Sequence, residues 1–299
     1  MAKQLACTVA LLILSSASFG NNPFPEPLVP ADNPSSVEKT KLGHDLFGET
    51  ALSINGKFSC ATCHQPARHF TDGLKVAIGA LGEPHRFNTP TLYNTAYNAS
   101  LGWQDEGLER LETQHLVPLT NQQPVEMGFH EGLIPTLEAK YATRFAAVFG
   151  DERITLERIT KAIASYVRTL RAPSSAFDRY VYWDEPLNAT AKEGMALFFS
   201  ERLGCSHCHG SFNLSGPVRH EFTEAEPVFH VTGVASSDEA FRAPTLRAIR
   251  HTAPYMHAGN LDSLEAVIHH YETTDAERVP DFVLSDKERN ALIAFLNAL

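Results

Sequence analysis

The chain has 299 residues, 43% hydrophobic and 20% charged, which is enough length for two domains of ordinary size. With 35 acidic against 25 basic residues the formal charge is −10, and no basic run is present. That balance argues against a nucleic-acid partner and suits a basic electron donor or substrate protein.

Residues 1–20 read as a signal peptide. Lys3 supplies the positive start, Leu5 to Leu14 the apolar core, and Ser18 and Gly20 the small residues before a cleavage point. The run is too short to span a membrane, so the expectation is export to the periplasm with no membrane span after cleavage. Residues 21–34 hold five prolines and few apolar anchors and read as a Pro-rich N-terminal arm. Ser35-x-x-Glu38 then opens a helix with Leu42, Leu46 and Phe47 on its apolar side. Further on, Leu156, Ile159, Ile163, Tyr166, Val167 and Leu170 recur at helical spacing, and Pro173 ends that run. Ala172 to Asn188 reads as the domain junction; Tyr180, Tyr182 and Trp183 there are either junction packing or a surface exit for oxidising equivalents. Thr190-x-x-Glu193 opens the next helix, Asp262-x-x-Glu265 another, and Ser285-x-x-Glu288 the last. On the Asp262 helix, Leu264, Val267, Ile268 and Tyr271 share one face while His269 and His270 point elsewhere. No long alternating strand pattern is visible.

Cys60-Ala61-Thr62-Cys63-His64 and Cys205-Ser206-His207-Cys208-His209 are attachment signatures of c-type haem. Two thiols bond to the haem edge and the adjacent His ligates the iron. A zinc site built from the two Cys pairs is the alternative. It leaves His64 and His209 without a purpose and needs a spacing far beyond the usual one. The fifth cysteine, Cys7, falls in the signal peptide, so the mature chain has no disulfide. Gly43-x-x-Leu46-Phe47 precedes the first motif and Gly194-x-x-Leu197-Phe198 the second, a weak internal repeat. The reading is a mainly α protein of two cytochrome c-like domains, 35–175 and 176–299, each binding one covalent haem c, with long irregular loops.

Several further segments, in order, are shared with one family. They are Asn88-Thr89-Pro90-Thr91, the Asn94 to Trp103 spacing, Pro124-Val125-Glu126-Met127, the run from Phe241 to Arg247, and the run from Thr252 to Gly259. From about Leu42 to Leu299 the chain resembles the bacterial di-haem cytochrome c peroxidases, which include the MauG-type enzymes. The resemblance implies a peroxidatic first haem on His64 with Glu126 on its open face, and an electron-transfer second haem on His209. A carboxylate so placed can carry a proton between the oxygens of hydrogen peroxide. Gln114 and Pro118 resemble other residues of that pocket, with a two-residue insertion before Glu126. Trp103 matches the tryptophan between the haems. Asn88, Thr252 and Pro254 match a calcium site, and Arg242 and Arg247 are candidates to pair with haem propionates.

Two departures choose a branch. Ordinary members block the first iron with a histidine whose position is Ala80 here; His69 and His85 are the nearby substitutes. Ordinary members also place methionine, where Tyr271 stands, as distal ligand of the second haem; MauG-type enzymes place tyrosine. Met256 is the competing ligand. The reading is therefore a periplasmic peroxidase using hydrogen peroxide to oxidise an external donor, of MauG type, whose substrate is a partner protein. The alternatives are an ordinary peroxidase fed by a small cytochrome or copper protein, and a di-haem electron carrier with no enzymatic activity.

Overall fold

The computed structural model describes residues 23–220, 225–236, 238–274 and 279–299; the expected signal peptide, with Cys7, lies outside them. The helices are α1 (Val37–Phe47), α2 (Cys60–Cys63), α3 (Leu111–Gln114), α4 (Leu116–Thr120), α5 (Ile134–Phe149), α6 (Leu156–Val167), α7 (Ala176–Trp183), α8 (Ala189–Phe198), α9 (Cys205–Cys208), α10 (Leu264–Thr273) and α11 (Asp286–Leu296). Two three-residue strands, β1 (Phe229–Val231) and β2 (Ala240–Arg242), pair antiparallel with Phe229 opposite Arg242. No helix among the described residues is long and apolar enough to cross a membrane.

The repeated glycines explain how the two halves are built. α1 crosses α6, and α8 crosses α11. At the first crossing a Cβ on Gly43 would stand 2.6 Å from the Ala162 carbonyl carbon; at the second, a Cβ on Gly194 would stand 2.5 Å from that of Ala291. Only glycine lets backbones approach so closely. Around the first crossing Leu42, Leu46, Phe145, Ile159 and Ile163 form one apolar core; around the second, Phe198, Leu292, Phe295 and Leu296 form another.

A second repeat carries the same plan further. Pro90-Thr91-Leu92 and Pro244-Thr245-Leu246 each lead to a residue in the left-handed region, Asn94 (φ 57°) and Ala248 (φ 57°). The Asn94 N–H donates to the Leu170 carbonyl at 2.8 Å, and the Ala248 N–H to that of Leu299 at 3.1 Å. In each half this loop is thus tied to the chain just beyond the closing helix.

Several expected starts shift by a residue or two. Ser36, not Ser35, caps α1 by accepting from the Lys39 N–H; Ser263, not Asp262, caps α10; and Asn188, not Thr190, caps α8. Ser285 and Glu288 form the expected capping box of α11. The stretch read as a junction contains α7, opened by a Ser175–Asp178 capping box. The arm is docked rather than loose. Phe24 is buried with Tyr97, Phe212 and Val218, and the Tyr97 hydroxyl donates to the Pro25 carbonyl at 2.6 Å. Buried Asn33 donates to Glu112 at 2.7 Å, and Glu112 also accepts from Arg168 at 2.8 Å.

Candidate redox sites

Each Cys-x-x-Cys forms a single helical turn that ends at its histidine. His64 Nδ1–H donates to the Phe70 carbonyl at 3.0 Å, and His209 Nδ1–H to that of Leu214 at 3.1 Å. Both acceptors sit in tight left-handed turns, Phe70 at φ 62° and Leu214 at φ 51°. The bond fixes the tautomer and leaves Nε2 unprotonated, as an iron ligand requires. Burial keeps both rings neutral, lowering His64 and bringing His209 down to about 4. It also pushes the Cys60, Cys63 and Cys205 thiols up to about 12. The two Cys pairs belong to different cores, and no group of three or more metal-binding side chains occurs among the described residues, so a shared zinc site is ruled out.

The second motif opens onto a chamber with about 1260 Å³ of empty space, its mouth included. Cys205, Cys208, His209, Trp103, Arg242 and Tyr271 are on its walls. Three features fit a haem. The walls are mostly aromatic and aliphatic. The Arg242 guanidinium is buried and donates only to the Gly102 carbonyl at 3.0 Å and the Ala243 carbonyl at 3.1 Å, with no carboxylate partner among the described residues. Burial brings it down to about 10, and an anion such as a propionate would offset that desolvation. Finally, Leu264, Val267, Ile268 and Tyr271 of α10 all face inward. Burial, reinforced by the two cysteines, raises the Tyr271 phenol. Among the described residues its hydroxyl has no hydrogen-bond partner. Met256, held at φ 69°, lines the same chamber. His270 points away and donates to the Thr232 carbonyl at 2.8 Å. Arg247 is also turned away, engaged by buried Asp178 and by the Phe212 carbonyl, so Arg242 is the better propionate candidate.

Around the first motif, α3 and α4 run nearly end to end and carry Gln114 and Pro118 four residues apart. Among the described residues Gln114 Oε1 and His115 Nδ1 are buried without hydrogen-bond partners, which fits a site built to take a bound group. Burial lowers His115 to about 4. The Pro118 carbonyl accepts from the Met127 N–H at 3.0 Å, which fixes the segment bearing Glu126. The Glu126 charge is felt at Cys60, Cys63 and His64. Ala80 is buried against this segment, its N–H donating to the Glu126 carbonyl at 2.8 Å. His85 Nε2 lies 3.2 Å from Glu126 Oε1, and His69 is stacked on His251 at 4.2 Å. The His85–Glu126 pair and His115 carry no sequence signal of their own. The proline carbonyls facing the two proximal histidines, Pro90 and Pro244, do: they open the repeated Pro-Thr-Leu.

Trp103 joins the halves. Its Nε1–H donates to the Asn88 carbonyl at 3.0 Å, its carbonyl accepts from the Arg242 N–H at 2.9 Å, and its ring walls the second chamber. Asn88, Thr252 and Pro254 line one small cleft beside it. The Asn88 amide donates to the Leu74 carbonyl at 2.8 Å, which leaves Oδ1 available to a cation.

The sequence signature of the family described as Di-haem cytochrome c peroxidase matches residues 37–185. The methylamine utilization protein MauG of Methylorubrum extorquens is 35% identical over 286 residues, covering 90% of this chain and 80% of that protein. The cytochrome c551 peroxidase of Nitrosomonas europaea is 32% identical, covering 98% of this chain and 90% of its own. Among solved structures, a MauG-like protein associated with microbial copper homeostasis is 33% identical with a TM-score of 0.86, covering 92% of this chain and 93% of that one. Two half-buried Cys-x-x-Cys-His turns, each with a prepared imidazole, and relatives spanning nearly the whole chain lead to one conclusion: the chain belongs to the di-haem cytochrome c peroxidase family, and is an oxidoreductase of peroxidase type with two c-type haems.

Proposed function

We propose that the enzyme is of MauG type: exported to the periplasm, it uses hydrogen peroxide at the His64 haem and takes the reducing equivalents from a side chain of a partner protein. The observation that carries this reading is Ala80. By the family resemblance it stands where ordinary members carry the blocking histidine; alanine cannot ligate iron, and its N–H is hydrogen-bonded to the Glu126 carbonyl.

Two cytochrome c-like domains, 35–175 and 176–299, divide the work. When bound, the haems supply the irons at which peroxide is reduced and oxidising equivalents are held. The chain's own residues manage protons and positions. Reducing peroxide to two waters consumes two protons and two electrons, and Glu126 moves a proton from the near oxygen of peroxide to the far one. Gln114 and Pro118 wall that pocket. Trp103 and Tyr271 both line the second chamber; Trp103 would carry electrons between the haems, and Tyr271 would offer its phenol oxygen to the second. A phenolate oxygen favours oxidised iron, whereas methionine raises the potential. Asn88, Thr252 and Pro254, which line one cleft, would hold a calcium ion through their oxygens. Met256 favours the second reading, an ordinary peroxidase with a methionine-ligated second haem, because it shares the chamber with Tyr271.

The test is the low-temperature electron paramagnetic resonance spectrum of the fully oxidised enzyme. One high-spin and one low-spin ferric haem are expected. Two low-spin signals would overturn the open first haem. Steady turnover with a small redox carrier, with no covalent change in any partner protein, would favour the ordinary peroxidase.

A further inference from the structure

Residues 77–87 form a closed hairpin. The Ala77 N–H donates to the Phe87 carbonyl at 3.3 Å, the His85 N–H to that of Ala77 at 2.7 Å, and the Gly79 N–H to that of Glu83 at 2.9 Å. The hairpin is clamped to the Glu126 segment mainly through backbone. Ala80 donates to the Glu126 carbonyl, and the Asn55 amide donates to the Ala80 carbonyl at 2.6 Å. At Gly79 a Cβ would stand 3.0 Å from the Val125 carbonyl carbon, so the two strands of chain meet face to face. A hairpin held this way delivers its side chains to fixed places.

One of them is His85. Its Nδ1 accepts from the Phe87 N–H at 3.1 Å, which puts the ring proton on Nε2. Nε2 is the atom 3.2 Å from Glu126 Oε1. Nε2–H is therefore the donor of this contact and the carboxylate oxygen the acceptor. The neighbouring cation, Arg86, is turned away to Glu239. With both ring nitrogens engaged, His85 is no substitute for the missing iron ligand.

We infer that His85 is a positioning residue for the peroxide reaction: its Nε2–H holds Glu126 Oε1, so that Oε2 is the oxygen presented to peroxide. The inference rests on the reading that Glu126 is the proton carrier. It gives hairpin 77–87 a purpose other than blocking the iron.

The test is the second-order rate constant of the holoenzyme with hydrogen peroxide, read by stopped-flow at the first haem. His85→Phe keeps a ring and loses the donor; His85→Gln keeps an amide donor. A lost hydrogen bond to a charged carboxylate should slow the reaction of His85→Phe by about 10- to 100-fold. His85→Gln should recover most of the rate. In a Glu126→Gln background, His85→Phe should cost less than about twofold, because interacting residues are not additive. A wild-type rate in His85→Phe beside a slow Glu126→Gln would overturn the role of His85 alone. So would an equal loss from His85→Phe in both backgrounds, which would mean an effect through the hairpin rather than through Glu126. A wild-type rate in Glu126→Gln would remove Glu126, and His85 with it.

Discussion

Substituting Gly194 by alanine puts one methyl at the crossing of α8 and α11. Its carbon would stand 2.5 Å from the Ala291 carbonyl carbon and 2.9 Å from the Phe295 Cβ, where ordinary contact begins near 3.4 Å. Both neighbours are fixed, one by backbone and one by a fully buried ring, so the helices must part by about an ångström. Overpacking of this kind costs about 3 kcal/mol, at the upper end of its usual range. Alanine's better helix propensity returns about 1 kcal/mol. The net loss of about 2 kcal/mol should lower the melting temperature by roughly 4–8 °C. The assay is thermal unfolding of the holoenzyme, followed by far-ultraviolet circular dichroism and by the Soret band. Gly48→Ala is the control: Gly48 has φ −91° and its nearest neighbour is 3.8 Å away. A Gly194→Ala melting temperature within about 1 °C of the control would refute the close crossing.

Tyr271→Phe should change the optical and paramagnetic signature of the second haem while leaving the first unchanged, and unchanged spectra would exclude ligation. Trp103→Phe removes the indole and its bond to the Asn88 carbonyl; single-turnover spectra should show slower exchange between haems at full haem content. Chelation of divalent cations, or Asn88→Ala, should alter the haem spectra and lower activity if the cleft beside Trp103 holds calcium; no change would dismiss that site. The Glu112 carboxyl gives a pH dependence of stability. Burial raises it, but Asn33 and Arg168 outweigh burial and hold it below the usual carboxylate range. Its stabilisation is therefore full above the unfolded value and is lost as pH falls through the folded one. Glu112→Gln should be less stable at neutral pH and should lose less on acidification, as measured by denaturant unfolding at several pH values.

What was legible in the sequence was whatever is written over a short span. The haem turns, α6, the capping box of α11 and the inward face of α10 all follow from local spacing. Caps were misplaced where two polar residues compete side by side. Ser35 and Ser36, or Asp262 and Ser263, offer equivalent oxygens, and the packing of the helix decides which one turns outward first. The arm was harder to read. Phe24 and Asn33 are single anchors whose partners, Phe212 and Glu112, are far along the chain. The same holds for His85 and Glu126, 41 residues apart, which meet only because a hairpin of backbone bonds carries one to the other.

The two halves share their proximal construction and differ in what faces it. His64 with Phe70 and Pro90, and His209 with Leu214 and Pro244, are one design used twice. Over the second chamber lies α10, a helix that satisfies its own backbone and can fill its inner face with apolar side chains and one phenol. Such a cover leaves room for a single fixed ligand. Near the first motif stand the short turns α3 and α4, the Glu126 segment and hairpin 77–87, where backbone groups and a half-buried carboxylate are held by one another. A cover of that kind can admit a small molecule and exchange a proton with water. On the proposed reading, chemistry and storage are separated by the choice of loop or helix over the iron, while the histidine side of each half stays the same.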